Sequence, residues 1–462
     1  MSGQAWHTTA AALAAGHCTL VSLWGEAERI HAALLDRNHV LQHLSLPCPD
    51  GRYPALGGLY APAVLLERAA ADLWRLTPEG LPDARPWLRH EAAYPFLPVE
   101  SEGAQLHVVP VGPVHAGIIE PGHFRFTCDG ETVVRLEIRL GYAHKGVHHL
   151  WPGASVARGA QLAGRLSGDS TVAYSWAFAA AVEQALGATP PPRALFLRAL
   201  MAELERLANH LGDVGGICND AAFAIMLAHC AVLREQVLRT AEACFGHRLM
   251  MDRILPGGVA ADLDAAGTVR LRALAQEMRL RFQPLVALYE KTASIQDRTL
   301  GTGILQPELA ARFGAGGVIG RASGRGFDTR RARPYAPYDE LDFTVPVMTQ
   351  GDVHARLWIR VQEVEQSLHL IEQMLAQLPA GPIAAPLPAP GAGEGMALIE
   401  GFRGDVFAWV RLDAAGRLAA CHLRDPSWFQ WPLLEAAIEG NIIADFPLCN
   451  KSFNCAYSGV DL

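Results

Sequence analysis

The sequence lacks a hydrophobic run long enough to cross a bilayer. Its best apolar run, residues 221–233, lies between Asp220 and Arg234 and contains His229. That run is shorter than the roughly 20 residues a spanning helix needs. The N-terminal segment has no basic leader, so we expect no secretory signal. Any membrane role is therefore expected to come through a partner.

Paired cysteines and excess basic charge are also missing. The nine cysteines are an odd number and none has C-x-x-C spacing, which argues against zinc ribbons, ferredoxin-like cluster loops and a disulfide framework. Scattered thiols fit a reducing cytoplasm, where each behaves as a small buried apolar residue. The 39 basic and 47 acidic residues give a net charge of -8. We therefore expect no nucleic-acid partner.

What is present is a long, apolar chain with two distinguishable parts. Half of the 462 residues are hydrophobic, which is enough for two or more cores. Residues 1–100 are predicted to form a small α/β unit with a helix over residues 63–76, which begins after Pro62. A stretch rich in proline, residues 82–98, breaks the periodicity after it. The predicted domains are therefore residues 1–100 and 101–462.

The second part has the pattern of a helical bundle with strands beside it. Residues 193–213 carry apolar side chains on one helical face at Phe196, Leu200, Leu204, Leu207 and Leu211. Three further long helices are predicted at residues 221–245, 261–292 and 352–378, which suggests four helices in a bundle. Strands are predicted at residues 107–111, 133–140, 396–412 and 418–423, and a final helix at residues 428–439. The predicted fold is multi-domain α+β.

An irregular segment, residues 320–343, lies between the third and fourth long helices. It carries five arginines: Arg321, Arg325, Arg330, Arg331 and Arg333. A loop of this length inside a compact domain is usually functional or covered by a partner, and the alternative is a solvated arginine loop. Residues 379–393 are the clearest linker. No Walker loop, G-x-S-x-G or H-E-x-x-H motif occurs.

Several longer strings are more specific, and they occur in one order. They are VGPVHAGIIEPGHFRF (residues 111–126), LGYAHKGVHHL (140–150), GDSTVAYSWAF (168–178), ELERLANHLGDVG (203–215), ASGRGFDTRRARPYAPYDELDF (322–343), RDPSWFQWP (424–432) and GNIIADFPLCNKSFN (440–454). Together they resemble the large subunit of membrane-bound, energy-converting nickel–iron hydrogenases and its relative in respiratory complex I, the peripheral-arm subunit that lines the quinone pocket. Residues 53–90 resemble an abbreviated form of the neighbouring complex I subunit, as in a fusion of the two.

The resemblance also exposes a departure at the metal ligands. The hydrogenases hold nickel and iron through R-x-C-G-x-C and D-P-C-x-x-C, but here the matching segments are RLSGDS (residues 165–170) and DPSWFQ (residues 425–430). The four ligand positions are thus Ser167, Ser170, Ser427 and Gln430. Hydroxyl and amide groups cannot replace four soft thiolates around nickel. We expect no nickel–iron site, no hydrogen chemistry and no cofactor bound by this chain.

In the complex I relatives, the emptied metal site becomes the head of the quinone cavity. The hairpin that faces it carries His115, Glu120 and His123 here, and its length leaves open which histidine faces the pocket. Glu120 matches the glutamate that carries protons in the hydrogenases, although a structural hydrogen bond is the simpler alternative. The pocket tyrosine of complex I falls near Gly164 and is absent, which puts ordinary ubiquinone reduction in doubt.

The resemblance assigns further residues to the surroundings of the site. Lys145 and His210 match basic residues near the last iron–sulfur cluster of the partner subunit; the alternative for His210 is a histidine satisfied within its helix. Residues that surround the metal ligands in the family match Arg165, Asp169, Arg403 and Asp425. Without a metal, Arg403 and Asp425 are expected to pair with each other.

The function that the resemblance implies is that of a soluble large subunit in a complex I-like or hydrogenase-related membrane redox complex. Electrons, NAD(H)-linked in the relatives from complex I, would pass from an iron–sulfur small subunit to a quinone-type acceptor. Antiporter-like membrane subunits would hold the chain at the cytoplasmic face of the inner membrane. One alternative is a catalytically silent scaffold in a complex that transports ions or bicarbonate. Another is a hydrogenase with unorthodox metal ligands.

Overall fold

The computed structural model describes residues 3–90, 94–97, 105–117 and 119–462, so the predicted domain boundary between residues 100 and 101 lies outside the described residues. The first elements are α1 (Gly3–Ala14), β1 (Thr19–Glu26), β2 (Arg29–Leu35), β3 (Leu41–Pro47), β4 (Arg52–Pro54), α2 (Val64–Trp74) and β5 (Thr77–Glu79). Next come β6 (Leu106–Val111), β7 (His123–Asp129), β8 (Thr132–Arg139), α3 (Val156–Ala163), α4 (Thr171–Leu186), α5 (Pro192–Asp220), α6 (Ala224–Phe245), β9 (Ile254–Leu255) and β10 (Gly258–Val259).

The remaining elements are helices and one further sheet. They are α7 (Ala265–Lys291), α8 (Ala293–Thr299), α9 (Pro307–Arg312), α10 (Gly317–Ala322), α11 (Thr329–Ala332), α12 (Val353–Gln377), β11 (Gly393–Gly401), β12 (Gly404–Leu412), β13 (Leu418–Arg424), α13 (Ser427–Ile438), α14 (Phe446–Phe453) and α15 (Ser458–Asp461). This mixture of helices and small sheets confirms the predicted α+β class. Among the described residues, no helix is both long and apolar enough to cross a bilayer.

The N-terminal residues form an antiparallel meander, β1-β2-β3, beside α1 and α2. The helix predicted over residues 63–76 is α2, which ends where Arg75 adopts a left-handed conformation (φ 56°). Side chains of this part share one buried cluster with later elements; Trp6 and Tyr53 belong to the same core as Phe124 and Trp431. Helix α13, near the end of the chain, therefore packs in the same core as the N-terminal meander.

The sheet β6-β7-β8 contains one strand more than the sequence predicted. The predicted strands at residues 107–111 and 133–140 are β6 and β8, but β7 lies between them and pairs with both. The Asp129-Gly130 turn joins β7 to β8, where Asp129 pairs with Thr132. β7 alternates between buried and half-buried side chains, as a strand with one face on the core should.

The four long helices predicted from periodicity are α5, α6, α7 and α12, and all four exist. A fifth, α4, is buried along nearly its whole length and lies against β11 and β12. The apolar, alanine-rich composition of α4 suits a helix covered on all sides. The bundle and the sheet β11-β12-β13 therefore meet at α4, and the turn that leads into α4 carries two of the predicted ligand positions.

Two arginines of residues 320–343, Arg321 and Arg330, belong to a buried ion-pair network, so a solvated loop does not describe this part of the segment. Arg321 is fully buried, and its Nε donates to Glu363 Oε1 at 2.7 Å while its Nη1 donates to Glu400 Oε1 at 2.9 Å. Arg330 pairs with Asp328 and, through Nη1 at 2.9 Å, with Glu203. The sequence pattern does not predict this, because buried arginines are rare unless they are paired. Asp328 is a local partner, but Glu203, Glu363 and Glu400 lie far away in the chain.

Candidate functional site

The four former ligand positions converge at the junction of two helices. Ser167 and Ser170 lie in the turn before α4, while Ser427 and Gln430 lie in the first turn of α13. All four side chains are buried. The structure therefore brings together residues that are more than 250 positions apart in the chain, as the resemblance predicted.

An ion pair lies in the middle of these four positions. Arg403, from the tight turn between β11 and β12, donates through Nη2 to Asp169 Oδ2 at 2.6 Å and through Nη1 to Asp169 Oδ1 at 2.8 Å. Two parallel charge-assisted bonds of this kind give both strength and a fixed geometry. Burial opposes the ionisation of Asp169, but the Arg403 guanidinium outweighs it and holds the pKa of that carboxyl well below its usual range.

The ion pair bonds the side chains of two former ligand positions, and a third bonds the main chain of its arginine. Ser167 Oγ donates to Asp169 Oδ1 at 2.8 Å, and Arg403 Nη1 donates to Ser170 Oγ at 3.1 Å. Gln430 Nε2 donates to the backbone carbonyl of Arg403 at 2.9 Å. Arg403 Nε donates to the backbone carbonyl of Asn454 at 2.5 Å. The two serines before α4 are therefore hydrogen-bonded to a guanidinium–carboxylate pair.

The fourth position, Ser427, is held by the chain that follows α14. Its Oγ accepts a hydrogen bond from the backbone N–H of Ala456 at 2.9 Å. Asp425 caps the start of α13, because its Oδ1 accepts from the backbone N–H of Ser427 at 2.8 Å, and its Oδ2 accepts from the Tyr174 hydroxyl at 2.6 Å. The predicted pairing of Arg403 with Asp425 is therefore wrong: Asp169 takes the arginine, and Tyr174 takes Asp425.

The backbone allows Arg403 to reach this place only because glycines flank its carbonyl. A Cβ on Gly317 (φ +61°) would lie 2.0 Å from the Arg403 carbonyl oxygen, and one on Gly404 would lie 2.9 Å from the Gly317 nitrogen. Neither distance is sterically possible for a side chain. The glycines of residues 314–317 therefore serve close packing beside the β11–β12 turn.

The residues present do not fit a nickel–iron centre. The hydroxyl and amide groups at the ligand positions are neutral, already hydrogen-bonded and next to a guanidinium, whereas such a centre needs deprotonated soft thiolates. The nearby thiols do not supply them: burial raises the pKa of Cys449 to about 11 and that of Cys455 further still. Among the described residues there is no group of three or more histidine, cysteine or carboxylate side chains that could hold a metal ion.

Arg165, expected beside the ligand positions, lies at the surface instead. Its Nη1 and Nη2 donate to Asp252 Oδ1 and Oδ2 at 2.6 and 2.7 Å, and both side chains are exposed. Arg165 and Arg403 thus form similar bidentate pairs in different surroundings, one in water and one buried. The expectation that Arg165 surrounds the site is wrong.

The β6–β7 hairpin approaches the site through its contacts with the C-terminal residues. His115 Nδ1 lies 3.2 Å from the carbonyl oxygen of Pro113, which can only accept, so Nδ1 carries the proton. His115 Nε2 faces the Tyr457 hydroxyl at 3.4 Å. Exposed Glu120 accepts from the backbone N–H of Ser458 at 3.0 Å. His115 and Glu120 therefore border Tyr457 and Ser458, directly after the segment that holds Ser427.

His123 does not join them. It begins β7 one position before Phe124, whose side chain is buried in the core. Successive side chains of a strand point to opposite faces, and His123 packs against Phe96 on the outer face, with ring centroids 5.4 Å apart. Burial, together with Arg125 and Arg139, lowers the pKa of His123. Only one of the two candidate histidines thus faces the C-terminal segment.

Lys145 lies next to the turn that carries the first two former ligand positions. Its Nζ donates to the backbone carbonyls of Arg165 and Leu166 at 3.0 and 2.7 Å. Burial lowers the pKa of Lys145, and the charges of Glu120 and Asp461 oppose this effect. Asp461 is buried and accepts from the backbone N–H groups of Gly141 and Ala143, and burial raises its pKa to about 6.

His210 occupies a different place, in the interior of the bundle. It is fully buried, and its Nε2 lies 2.7 Å from Glu363 Oε2. Burial lowers the pKa of His210, while Glu363 opposes the effect. A partner's charge would therefore act on His210 through the network of Glu363 and Arg321 rather than by contact.

Sequence reasoning missed Tyr457 and Glu205. Tyr457 lies just beyond the last recognisable string, and only its closeness to His115 in space marks it. Glu205 is one position off the apolar stripe of α5; it accepts from the backbone N–H groups of Val172 and Ala173 at the start of α4. Burial raises the pKa of Glu205 to about 8, and nearby Asp169 adds to the rise. No local pattern in the sequence indicates either contact.

Comparisons with known proteins identify the family of the chain. The family model of the respiratory-chain NADH dehydrogenase 49 kDa subunit matches residues 220–391. The carbon monoxide-induced hydrogenase of Rhodospirillum rubrum is 33% identical over 75% of this chain and 97% of its own length. An NADH-quinone oxidoreductase subunit of Roseiflexus is 32% identical over 76% of this chain and 97% of its own length.

Two further comparisons bear on the ends of the chain and on the fold. Formate hydrogenlyase subunit 5 of Escherichia coli is 32% identical over 88% of this chain and 77% of its own length, so that match extends into residues 1–100. One chain in the structure of the membrane-bound sulfane sulfur reductase, an archaeal respiratory membrane complex, superposes with a TM-score of 0.73 at 26% identity, over 77% of this chain and 98% of that one. The chain therefore belongs to the family that contains the 49 kDa subunit of respiratory-chain NADH dehydrogenase and the large subunits of energy-converting hydrogenases.

Proposed function

We propose that this chain is the large subunit of a membrane redox complex that passes electrons from a partner's iron–sulfur clusters to a quinone-type acceptor, without a nickel–iron centre. The observation that carries the proposal is the Arg403–Asp169 ion pair, which bonds Ser167 and Ser170, two of the four former ligand positions. A site so organised offers no ligands for nickel. Hydrogen chemistry is thereby excluded from the proposal, while electron transfer through a partner is retained.

The acceptor's head group is assigned to the mouth formed by His115, Tyr457 and Glu120. A quinone takes up two electrons and two protons, so its carbonyl oxygens need donors nearby. The Tyr457 hydroxyl lies 3.4 Å from His115 Nε2. It has one proton, which it can donate either to that nitrogen or, by turning, to a carbonyl oxygen of the acceptor. Gly164 stands where the complex I relatives are expected to have a pocket tyrosine, and it has no hydroxyl. Tyr457, from the C-terminal segment, offers one instead.

Glu120 is the candidate proton relay from solvent to this mouth. It is exposed, yet it is bound to the backbone of Ser458, one residue from Tyr457. Its charge raises the pKa values of Tyr457 and Asp461 in addition to their burial. An exposed carboxylate coupled in this way to a tyrosine hydroxyl and to a carboxyl group that titrates near pH 6 has the arrangement needed for proton delivery. Lys145, beside Glu120 and Asp461, keeps the local charge balanced.

The partners and the location follow from the relatives by analogy. Relatives named as NADH-quinone oxidoreductase and formate hydrogenlyase subunits, and a chain of an archaeal respiratory membrane complex, support assembly with membrane subunits. We assign to this chain an iron–sulfur small subunit and antiporter-like membrane subunits as partners, and a peripheral position on the cytoplasmic face of the inner membrane. The similarity to a sulfane sulfur reductase makes a sulfur compound the second class of acceptor to test.

A silent scaffold is the second candidate function, and a specific observation favours it. Three of the nitrogen atoms of Arg403 already donate to Asp169, Ser170 and Asn454 within the chain, which leaves little capacity to bind a ligand at the former metal position. In that case, the complex would transport ions or bicarbonate, and this chain would only hold its partners together.

Turnover of the intact complex separates the two functions. The purified complex is supplied with NADH or reduced ferredoxin, and the reduction of menadione, ubiquinone-1 or polysulfide is followed. The redox proposal expects turnover with at least one pair, and it expects Tyr457→Phe to abolish most of it with assembly intact. No turnover with any pair, in a complex whose clusters are reducible, would support the scaffold instead.

A further inference from the structure

The N-terminal meander packs against the C-terminal sheet through an apolar cluster of its own. The Trp24 ring, from β1, lies 5.3 Å from the Trp409 ring, from β12. Strands β11 and β12 of this sheet also form the hairpin whose turn carries Arg403. A contact that holds the meander on this sheet therefore bears on the hairpin that positions Arg403.

Four titratable side chains form one chain of hydrogen bonds across this junction. Glu26 Oε2 lies 2.9 Å from His31 Nε2, and His31 Nδ1 lies 3.0 Å from His43 Nε2. His43 Nδ1 lies 2.9 Å from Glu394 Oε1. Glu26, His31 and His43 come from β1, β2 and β3, and Glu394 comes from β11. The chain of bonds therefore ties all three strands of the meander to the C-terminal sheet.

Both carboxyl groups at the ends of this chain of bonds are ionised. Burial opposes the ionisation of Glu26, but His31 and Arg411 outweigh it and hold the pKa of Glu26 below its usual range. The hydrogen bond from His43 lowers the pKa of Glu394 to about 2. An ionised carboxylate can only accept, so His31 Nε2 and His43 Nδ1 both carry a proton.

The bond between the two rings then requires a third proton. Two neutral imidazoles supply only two protons, and both are already used toward the carboxylates. Without a third proton, His31 Nδ1 and His43 Nε2 would face each other at 3.0 Å with two lone pairs and no hydrogen between them. The hydrogen-bond geometry therefore assigns one positive charge to the histidine pair.

The charges at the junction balance only with this third proton. Arg411, which is opposite Glu394 in the register of β11 and β12, donates to both carboxylate oxygens of Glu26 at 2.6 and 2.7 Å. Two carboxylates thus surround one guanidinium, and one imidazolium makes the group neutral. The remaining titratable groups around the chain of bonds are Glu28 and Arg29, which carry opposite charges beside the turn between β1 and β2, and His422 on β13, whose pKa is held well below its usual range by burial.

The third proton is held on His43 and can exchange with water. Burial lowers the pKa of His31, which is 2% exposed. The His43 side chain is 20% exposed and that of Glu394 is 41% exposed. The chain of bonds thus runs from the interior to the surface, and a proton lost from His43 leaves through the Glu394 end.

We propose that these four side chains form a proton-dependent latch that holds the N-terminal meander on the C-terminal sheet. When the third proton leaves, the bond between the rings is lost and two lone pairs face each other inside the junction. Above about pH 6.5, the folded chain therefore holds one proton more than the same histidines hold in water. Raising the pH then weakens the latch, because the opened state has already released that proton. The latch is independent of the acceptor mouth at Tyr457, so either assignment can fail alone.

Hydrogen exchange of the intact purified complex, measured by mass spectrometry, tests the latch. The ratio of observed to intrinsic exchange rates in β2 and β3 gives the opening constant of the meander at each pH. In the wild type, this constant should rise from about pH 6.5 to about 8.5, by up to about tenfold per pH unit for one proton. His43→Gln keeps a donor and an acceptor without an ionisable proton, and should reduce this dependence. Some dependence should remain, because burial raises the pKa of Glu67 in α2 to about 7.

Two further variants separate the latch from a loss of packing. Glu394→Gln removes the carboxylate that balances the third proton, at a partly exposed position, and should reduce the pH dependence as His43→Gln does. His229→Gln is the matched control, because His229 is exposed on α6 and should leave the dependence as in the wild type.

A wild-type opening constant that does not rise with pH would overturn the proposal. So would a wild-type pH dependence in either latch variant. If His43→Gln does not fold, the result for Glu394→Gln decides alone.

Discussion

Arg403 and Asp169 form a bidentate ion pair, with N–O distances of 2.6 and 2.8 Å, beside the four former ligand positions. Ser167 and Ser170 are hydrogen-bonded to this pair. The Asp169 side chain is 36% exposed whereas that of Arg403 is buried. The carboxylate of the pair therefore lies near the surface and the guanidinium lies in the interior.

Removing the arginine should destabilise the chain. Arg403→Gln leaves Asp169 without its counter-charge and breaks the bonds to Ser170 and Asn454. We expect a loss of roughly 2–3 kcal/mol, below the value for a fully buried pair because Asp169 is partly exposed. The measurement is the unfolding free energy of the variant. Arg165→Gln, which breaks the exposed pair with Asp252, is the matched control and should cost less than about 1 kcal/mol.

The two partners should also be coupled. If the pair is responsible for the loss, Asp169→Asn combined with Arg403→Gln should cost less than the sum of the two single changes, because neither charge is then left alone. Strict additivity in this double-mutant cycle would mean that the two side chains contribute separately.

Glu120 should matter for proton delivery and not for assembly. Glu120→Gln keeps the size and the hydrogen bond to Ser458 but removes the ionisable proton. We expect turnover to fall on the order of 10²-fold or more, with reduction of the partner's clusters unchanged. Glu120→Asp should retain more activity. Wild-type turnover in Glu120→Gln would rule out the relay.

The two hairpin histidines should differ, because they lie on opposite faces of the sheet. His115→Ala removes the partner of the Tyr457 hydroxyl and should lower turnover about tenfold or more, with a raised KM for the acceptor if orientation is what is lost. His123→Ala, on the outer face beside Phe96, should stay near wild type. A larger loss in His123→Ala than in His115→Ala would contradict this assignment.

Stability should fall as the pH rises from about 5 to about 8. Glu205 has a pKa of about 8 in the folded chain against the usual 4.5. In that window the folded state keeps a proton that the unfolded state has released, so raising the pH favours unfolding, by at most about 1.4 kcal/mol per pH unit for one group. Thermal melts of the complex at several pH values measure this. Glu435 and Glu67, whose pKa values are also raised by burial, contribute in the same window. Glu205→Gln should therefore reduce the slope of the curve, and the exposed control Glu290→Gln should leave it unchanged.

The long helices and the convergence of the ligand positions could be predicted from the sequence, because periodicity and the family strings are both local signals. The pairing of Arg403 could not be predicted, because it depends on tertiary geometry. Asp169 and Asp425 are both acidic and both near Arg403, but Asp425 accepts a hydrogen bond from Tyr174 instead. For the same reason, the sequence around the buried Arg321 and Arg330 predicts a loop and not an ion-pair network. Their partners come from α5, α12 and β11.

The nickel content of the purified complex decides between a metal-free site and a nickel–iron centre. Cells are grown with nickel in the medium, and metals are counted per chain by elemental analysis. Ser167 and Ser170 are bonded to the Arg403–Asp169 pair, and Ser427 and Gln430 are bonded to backbone groups. Because none of these side chains is a thiolate, we predict iron from the partner's clusters and no stoichiometric nickel. About one nickel per chain, lost in a variant of these four positions, would contradict it.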